Sequence, residues 1–365
     1  MRESPFAARI ARMVAGRRSR SVHASGSRAP STPRTPAPRR GRVGSAHAGI
    51  PRVCAVVDIG SNSTHLYVAV SDGVRQEVIA DESVPIELGR LVEQDRAIGR
   101  KATAAISDAL TTFRARATTL GAEQMFVVAT EPFRRARDQE SVLRTLRGTK
   151  FSAPIVLTHE EEGLLTVLGL HHGHDHSLPQ LVVDIGGGST EAVELHPGEQ
   201  PRAIGVSIGS ARLLARVSYQ DPPRPREWQE LRRHAQIALA DLTVGDVHRL
   251  ILVGGTATRL LKLVPSTLIS RTIQREDLSA MGERLVALTA KEVAERFAIS
   301  QRRARLLPAG IAIVEALLQR TTAREVSVDR GGIREGMVIA VSRAGDGWRE
   351  ALPELVMETR ESSSH

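Results

Sequence analysis

A chain of 365 residues, 41% of them hydrophobic, is long enough for two domains with cores of ordinary size, and its single cysteine excludes a disulfide-stapled scaffold. The net charge of +9 first suggests a polyanionic partner, but residues 1–50 hold eleven arginines against one glutamate, which leaves residues 51–365 at −1. The body of the chain therefore offers no basic surface on which to expect a specific nucleic-acid or membrane partner, and no apolar run is long enough to span a bilayer.

Residues 1–50, with SRAPSTPRTPAPRRGR at their centre, are poor in large apolar side chains, the composition of a disordered basic arm. The acid-poor start FAARIARMVAGRRSRS equally fits a targeting segment, or an over-long reading frame with Met13 as a later start. From Val53 the pattern becomes regular. The strand VCAVVDIG is followed by HLYVAV, which turns through Ser71, Asp72 and Gly73 into VRQEVIA. Cys54 in that first strand reads as a small buried hydrophobe in a reducing compartment, so the expected location is cytoplasmic. Ala102, Ala105, Ile106, Ala109, Leu110, Phe113 and Ala117 recur at helical spacing. Then come the strand MFVVAT, a charged helix from Arg134 to Leu146, the strand APIVLT and a helix beginning EEEGLLTVLGL. Strand and helix alternate, which predicts an α/β architecture.

After the loop HHGHDHSLPQ the second half opens as the first did, with LVVDIGGGST. It continues through a strand pair, a short helix at ARLLARV, the turn DPPRPRE, the strand RLILV running into GGTATRLLKL, and helices over 276–320. The strand EVSVD and a helix near GGIREGMVIAV close it, and 347–365 reads as a polar tail. The predicted division is a basic arm at 1–50, domains at 51–176 and 177–346, and that tail.

The repeated strand ending in Asp-Ile-Gly places a carboxylate at a sheet's carboxyl edge, with glycine letting the backbone turn away toward a ligand. In the first copy Gly60, Ser61, Asn62 and Ser63 supply small donors; in the second Gly186, Gly187, Gly188, Ser189 and Thr190 form a nest suited to an anion. A third turn, at Gly255 and Thr256, has the same character. Two such loops clamp a phosphate chain between two domains only if a cation offsets Asp58 and Asp184, which implies a hard divalent ion such as Mg²⁺. The histidines His171, His172, His174 and His176 lie in a Gly- and Asp-containing loop without helical i, i+4 spacing and read as a solvated segment rather than a metal site.

This pattern resembles the actin, heat-shock-protein and sugar-kinase superfamily, whose fold is a pair of RNase-H-like domains around a phosphate-binding interdomain cleft. Within it the chain is most similar, over about residues 52–345, to the exopolyphosphatase and guanosine pentaphosphate phosphohydrolase (Ppx/GppA) family. The segments ATEPFR, EEEGLLTVLG, SIGSARL, LLPAGIAIVEALL and GGIREGMV stand in that family's order.

The resemblance implies that Glu162 orients and deprotonates the attacking water, with Glu161 and Glu160 beside it raising its proton affinity. It also implies that Arg134 and Arg212 face substrate phosphate and that Glu191 joins Asp58 and Asp184 around the metal. Arg334 and Glu335 form either a structural ion pair or a substrate contact. Where the family has Gly before its acidic run, Arg after it and small residues ahead of its Arg, this chain has His159, Leu164, Glu131 and Pro132. The expected function is Mg²⁺-dependent release of terminal orthophosphate from inorganic polyphosphate, of short chains because the body of the protein is slightly acidic. Hydrolysis of guanosine pentaphosphate, an ATP-dependent kinase activity near GGTATR, and a non-catalytic polyphosphate or nucleotide sensor remain as alternatives. A homodimer is expected from the resemblance alone.

Overall fold

The computed structural model describes residues 49–147, 154–170, 177–264 and 267–362. The basic arm up to residue 48 and the histidines at 171–176 lie outside them. Two sheets organise the chain. The first comprises β1 (Arg52–Ile59), β2 (Ser63–Ser71), β3 (Gln76–Pro85), β4 (Gln124–Ala129) and β5 (Ile155–Val156), in the order β3-β2-β1-β4-β5. The second comprises β6 (Gln180–Ile185), β7 (Thr190–Leu195), β8 (Arg202–Val206), β9 (Arg249–Val253), β10 (Thr272–Gln274) and β11 (Glu325–Val328), in the order β10-β11-β9-β6-β7-β8. In each, a three-stranded antiparallel meander is extended by parallel strands on the side of its first member. The halves therefore share one topology, the RNase-H-like order expected from the resemblance, and the second adds β10 as an antiparallel edge.

Both faces of each central strand are buried, which is why these segments read as continuous apolar runs rather than alternating ones. In β1, Val53, Ala55, Val57 and Ile59 pack outward onto helices that include Gly99–Thr119, while Cys54 and Val56 point into a layer shared with the second half. In β6, Leu181, Val183 and Ile185 face the outer helices and Val182 faces the shared layer. Helix Gly99–Thr119 buries the expected stripe of Ala102, Ile106, Ala109, Leu110, Phe113 and Ala117, but Ala105 lies on its exposed side.

Two helices at the centre of the shared layer exchange sheets. His159–Leu168, from the first half, packs on β6, β7 and β8, whereas Ile333–Ala344, from the second, packs on β1, β2 and β3. The two cross so closely that a Cβ on Gly336 would stand 1.8 Å from the Leu165 carbonyl oxygen, and one on Gly169 would stand 2.3 Å from that of Gly332. Only glycine permits this backbone contact, which accounts for Gly169 in EEEGLLTVLG and for Gly331 and Gly336 in GGIREG. A boundary drawn along the chain thus separates each of these helices from the sheet it covers.

Two expectations need correction. Residues 347–365 are not a polar tail through their length: Trp348–Ser362 is a helix that buries Trp348, Leu352, Leu355 and Val356 in the shared layer. The charged helix over Arg134–Leu146 is two helices, Glu131–Arg135 and Gln139–Arg147. They part where Ala136 is extended and where Asp138 accepts hydrogen bonds from Ile98 N and Gly99 N, both at 2.9 Å. Among the described residues no helix is long and apolar enough to cross a membrane.

Candidate functional site

The hairpins β1–β2 and β6–β7 end in matching turns. Gly60 N donates to Ser63 O at 3.1 Å and Gly186 N to Ser189 O at 3.0 Å. Each turn leaves its strand-end aspartate, Asp58 or Asp184, at the carboxyl edge of its sheet, as a parallel α/β arrangement provides. The two edges face one cleft of about 760 Å³. Its wall includes Asp58, Gly60, Ser61, Asn62, Ser63, Asp184, Gly186, Gly187, Gly255 and Thr256, so the structure gathers three loops that lie far apart in sequence.

Asp58 and Asp184 are half-buried on the cleft wall. Burial pushes the Asp58 carboxyl up to about 6, against the pull of Arg334 and with a contribution from Glu335. Burial pushes Asp184 up to about 8, reinforced by the charges of Glu191, Asp58 and Glu335 and opposed by Arg334. Asp58 Oδ1 is buried without a hydrogen-bond partner. Two neighbouring carboxylates, one raising the proton affinity of the other and one keeping an oxygen unpaired, form a donor set that fits a hard cation. Among the described residues no three His, Cys, Asp or Glu side chains converge on a metal-sized point. The fit is therefore to an ion such as Mg²⁺, which takes one or two carboxylates and completes its shell from phosphate and water.

Behind the cleft wall lies a second cluster. Glu162, in the first turn of His159–Leu168, pairs with Arg134, whose Nη1 also donates to Leu157 O at 2.8 Å. Burial raises the Glu162 carboxyl well above its usual range, as does the charge of Glu191; Arg134 pulls the other way and Asp58 adds to the rise. Burial thus outweighs the favourable helix N-terminus, whose effect on a first-turn carboxylate is modest. Glu191, opposite Asp184 in the β6–β7 register, turns to His159 Nδ1 at 2.8 Å and lies 3.6 Å from Arg134. Its charge is still felt at Asp184, but among the described residues it does not converge with Asp58 and Asp184 on one metal-sized point.

Other expected site residues serve the framework. Glu161 accepts from Thr158 N at 2.8 Å in a capping box and pairs with Arg349 at 2.7 Å, which removes it from the chemistry. Thr190 Oγ1 donates to Ile208 O at 2.6 Å and Thr256 Oγ1 to Ile185 O at 2.9 Å. Ser189 is buried and closes its turn through its carbonyl. Arg212 is not on the cleft wall: it is buried, donates to Ser207 O at 2.9 Å and pairs with Glu131. Gly188 stands over the same Glu131 carboxylate. Arg334 does line the cleft, paired with Asp81 and stacked over Tyr67 at 5.4 Å.

Four arginines on the cleft escape the reading of the sequence. Arg259, Arg302, Arg303 and Arg330 line it together with Arg334. Arg302 reaches across from the second half to Glu87 at 2.8 Å and to Asn62 Oδ1 at 3.2 Å. His65 also lines it; burial and the charges of Arg334 and Arg303 lower its pKa to about 4, with Asp81 opposing, so its imidazole is neutral at pH 7. The signal for Arg302 and Arg303 was the run SQRRAR, whose short helix Gln301–Ala304 delivers it to the cleft.

A model of the Ppx/GppA phosphatase family matches residues 67–343. Exopolyphosphatase 1 of Mycobacterium tuberculosis and that of Mycobacterium bovis are each 25% identical over 297 residues, 78% of this chain and 86% of theirs. Among solved structures, a Ppx/GppA family member from Aquifex aeolicus superposes with a TM-score of 0.69 at 24% identity, covering 80% of this chain and 97% of that one. An exopolyphosphatase from Cytophaga hutchinsonii also reaches a TM-score of 0.69, at 20% identity over 80% and 98% of the two chains. These structural likenesses establish the fold.

Proposed function

The chain belongs to the Ppx/GppA phosphatase family, and on that premise we propose that it hydrolyses terminal orthophosphate from inorganic polyphosphate. The observation that supports this substrate is the lining of the cleft. Five arginines line it against the carboxylates of Asp58, Asp81, Asp184 and Glu335, and among the described residues no Phe, Tyr or Trp side chain forms part of the wall. A guanosine base is commonly held by stacking, whereas a bare phosphate chain needs only cations and hydrogen-bond donors. Guanosine pentaphosphate is accordingly the weaker candidate.

In the proposed mechanism Asp58 and Asp184 hold a divalent ion, Mg²⁺ by the chemistry of the donors. When bound, that ion supplies charge neutralisation for phosphate oxygens, and phosphoryl transfer needs little more than such neutralisation and alignment. The turns at Gly60–Ser63 and Gly186–Ser189 orient the terminal phosphate. Glu162, the base that the family resemblance implies for the attacking water, lies behind the cleft wall within the electrostatic reach of Asp58, and burial and Glu191 raise its proton affinity. Arg134 positions that carboxylate and limits the rise. Short chains are the proposed preference, since residues 51–365 sum to −1.

Orthophosphate release from short polyphosphate, long polyphosphate, guanosine pentaphosphate and ATP, each with Mg²⁺, tests this reading. Glu162→Gln is expected to lower kcat on polyphosphate by about 10²–10⁴-fold, the usual worth of a general base. Equal rates for the two proteins would remove Glu162 from that role, and release from guanosine pentaphosphate alone would overturn the substrate.

A further inference from the structure

Glu131 holds an unusual place for a carboxylate. Only 3% exposed, it lies where the two phosphate-loop turns meet: Ser61 Oγ donates to its Oε2 at 3.4 Å, and a Cβ on Gly188 would stand 2.2 Å from that same oxygen. Its Oε1 pairs with Arg212, itself 6% exposed, and with Arg135 at 3.2 Å. Glu93 completes the group, 2.8 Å from Arg135 and 3.4 Å from Arg212 Nε, which makes no hydrogen bond.

The backbone ties each member of the central pair to one turn. Thr130, just before Glu131, donates to Ile59 O through both its N and its Oγ1, at 3.3 Å each. Arg212 N donates to Gly187 O at 3.1 Å, and Ser210 N to Gly186 O at 3.0 Å. Glu131 is thus anchored to the first turn and Arg212 to the second. The glycines of the second turn leave the space that Glu131 and Asn62 enter: a Cβ on Gly187 would lie 2.7 Å from Asn62 Nδ2.

A guanidinium, a hydroxyl and a glycine turn around a single anion are the fittings of a phosphate subsite. Here the chain's own carboxylate occupies it. We infer that Glu131 is a built-in anion that fills the gap between the two turns, neutralises Arg212 and Arg135, and keeps free phosphate out. Its role is to determine specificity and position the loops. Substrate phosphate is confined to the open side of the cleft, where Asp58 and Asp184 lie, and released orthophosphate finds no site behind it. The inference rests on the reading that these turns handle phosphate.

Calorimetric titration with inorganic phosphate tests it without requiring turnover, so an inactive wild type would defeat the proposed function and leave this question decidable. Glu131→Ala removes the charge and opens the space, and it is expected to bind orthophosphate about tenfold more tightly than the wild type, the worth of one charged hydrogen bond. Inhibition of polyphosphate hydrolysis by orthophosphate should rise in parallel, a change that a merely structural carboxylate would not produce. Glu131→Ala combined with Arg212→Ala should return phosphate affinity to the wild-type level. Glu131→Gln, which keeps the shape and one hydrogen bond, guards against a folding failure of the alanine variant and is expected to gain about threefold. Unchanged phosphate affinity in a folded Glu131 variant, or a gain that survives removal of Arg212, would overturn the inference.

Discussion

The turns DIGSNST and DIGGGST share their backbone closure and register yet differ in what fills them. The first projects side chains: Ser61 to Glu131, Asn62 to Arg302, Ser63 to His65 at 2.7 Å. The second projects almost none and receives those of the first, Asn62 over Gly187 and Glu131 over Gly188. One turn is the knob and the other the hole. Duplication of a fold does not produce equivalent sites, because two copies facing each other must become complementary to close a cleft.

The two aspartates carry the same asymmetry, and replacing each in turn exposes it most strongly. Asp184→Asn and Asp58→Asn are both expected to lower Mg²⁺-dependent kcat by at least about 10²-fold, since charge neutralisation at the phosphate contributes several kcal/mol. Asp184, pushed to about 8 against about 6 for Asp58, is the more crowded by negative charge. In metal-free buffer at pH 8, Asp184→Asn should therefore raise Tm more than Asp58→Asn; the reverse order would break the comparison.

A smaller effect is expected from reshaping the hole. Gly187→Ala drives a methyl into Asn62 and should raise KM for polyphosphate about tenfold by parting the turns, while Ser61→Ala removes only one long hydrogen bond and should change KM less than about threefold. Equal effects would mean that the turns are not fitted to each other.

The smallest is a matter of pH. Both aspartates have folded pKa values above their ordinary value of 3.8, so the folded state binds more protons than the unfolded chain between there and about 6 for Asp58 or about 8 for Asp184. Without metal, these two groups should make stability fall as pH rises through that window, and Mg²⁺ should offset the loss. The expected increase in Tm on adding Mg²⁺ is thus a few degrees at pH 8 and less at pH 5, at about 2–4 °C per kcal/mol for a domain of 150–250 residues. A Tm increase independent of pH would separate the cation from these carboxylates.

Much of the architecture was legible because it rests on local pattern. Runs such as VCAVVDIG and LVVDIGGGST announce buried strands entering turns, and the repeat of one inside each half announces the doubled fold. The helix Trp348–Ser362 was missed because its stripe of Trp348, Leu352, Leu355 and Val356 is short and set among Glu, Arg and Ser, and its burial depends on the central layer it covers. Arg302 and Arg303 went unnoticed for a similar reason: nothing local says that a four-residue helix overhangs the opposite half.

The two sheets, the paired aspartate turns and a glutamate-rich helix start follow from local pattern, because backbone propensity, apolar periodicity and glycine placement act over a few residues. Which helix covers which sheet, which glutamate caps a helix and which lies buried beside an arginine, and the pairing of Arg212 with Glu131, emerge from packing of the two halves. Those outcomes depend on burial and on charges brought together across more than a hundred residues, as Glu162 and Asp58 are, and no local pattern encodes such a distance.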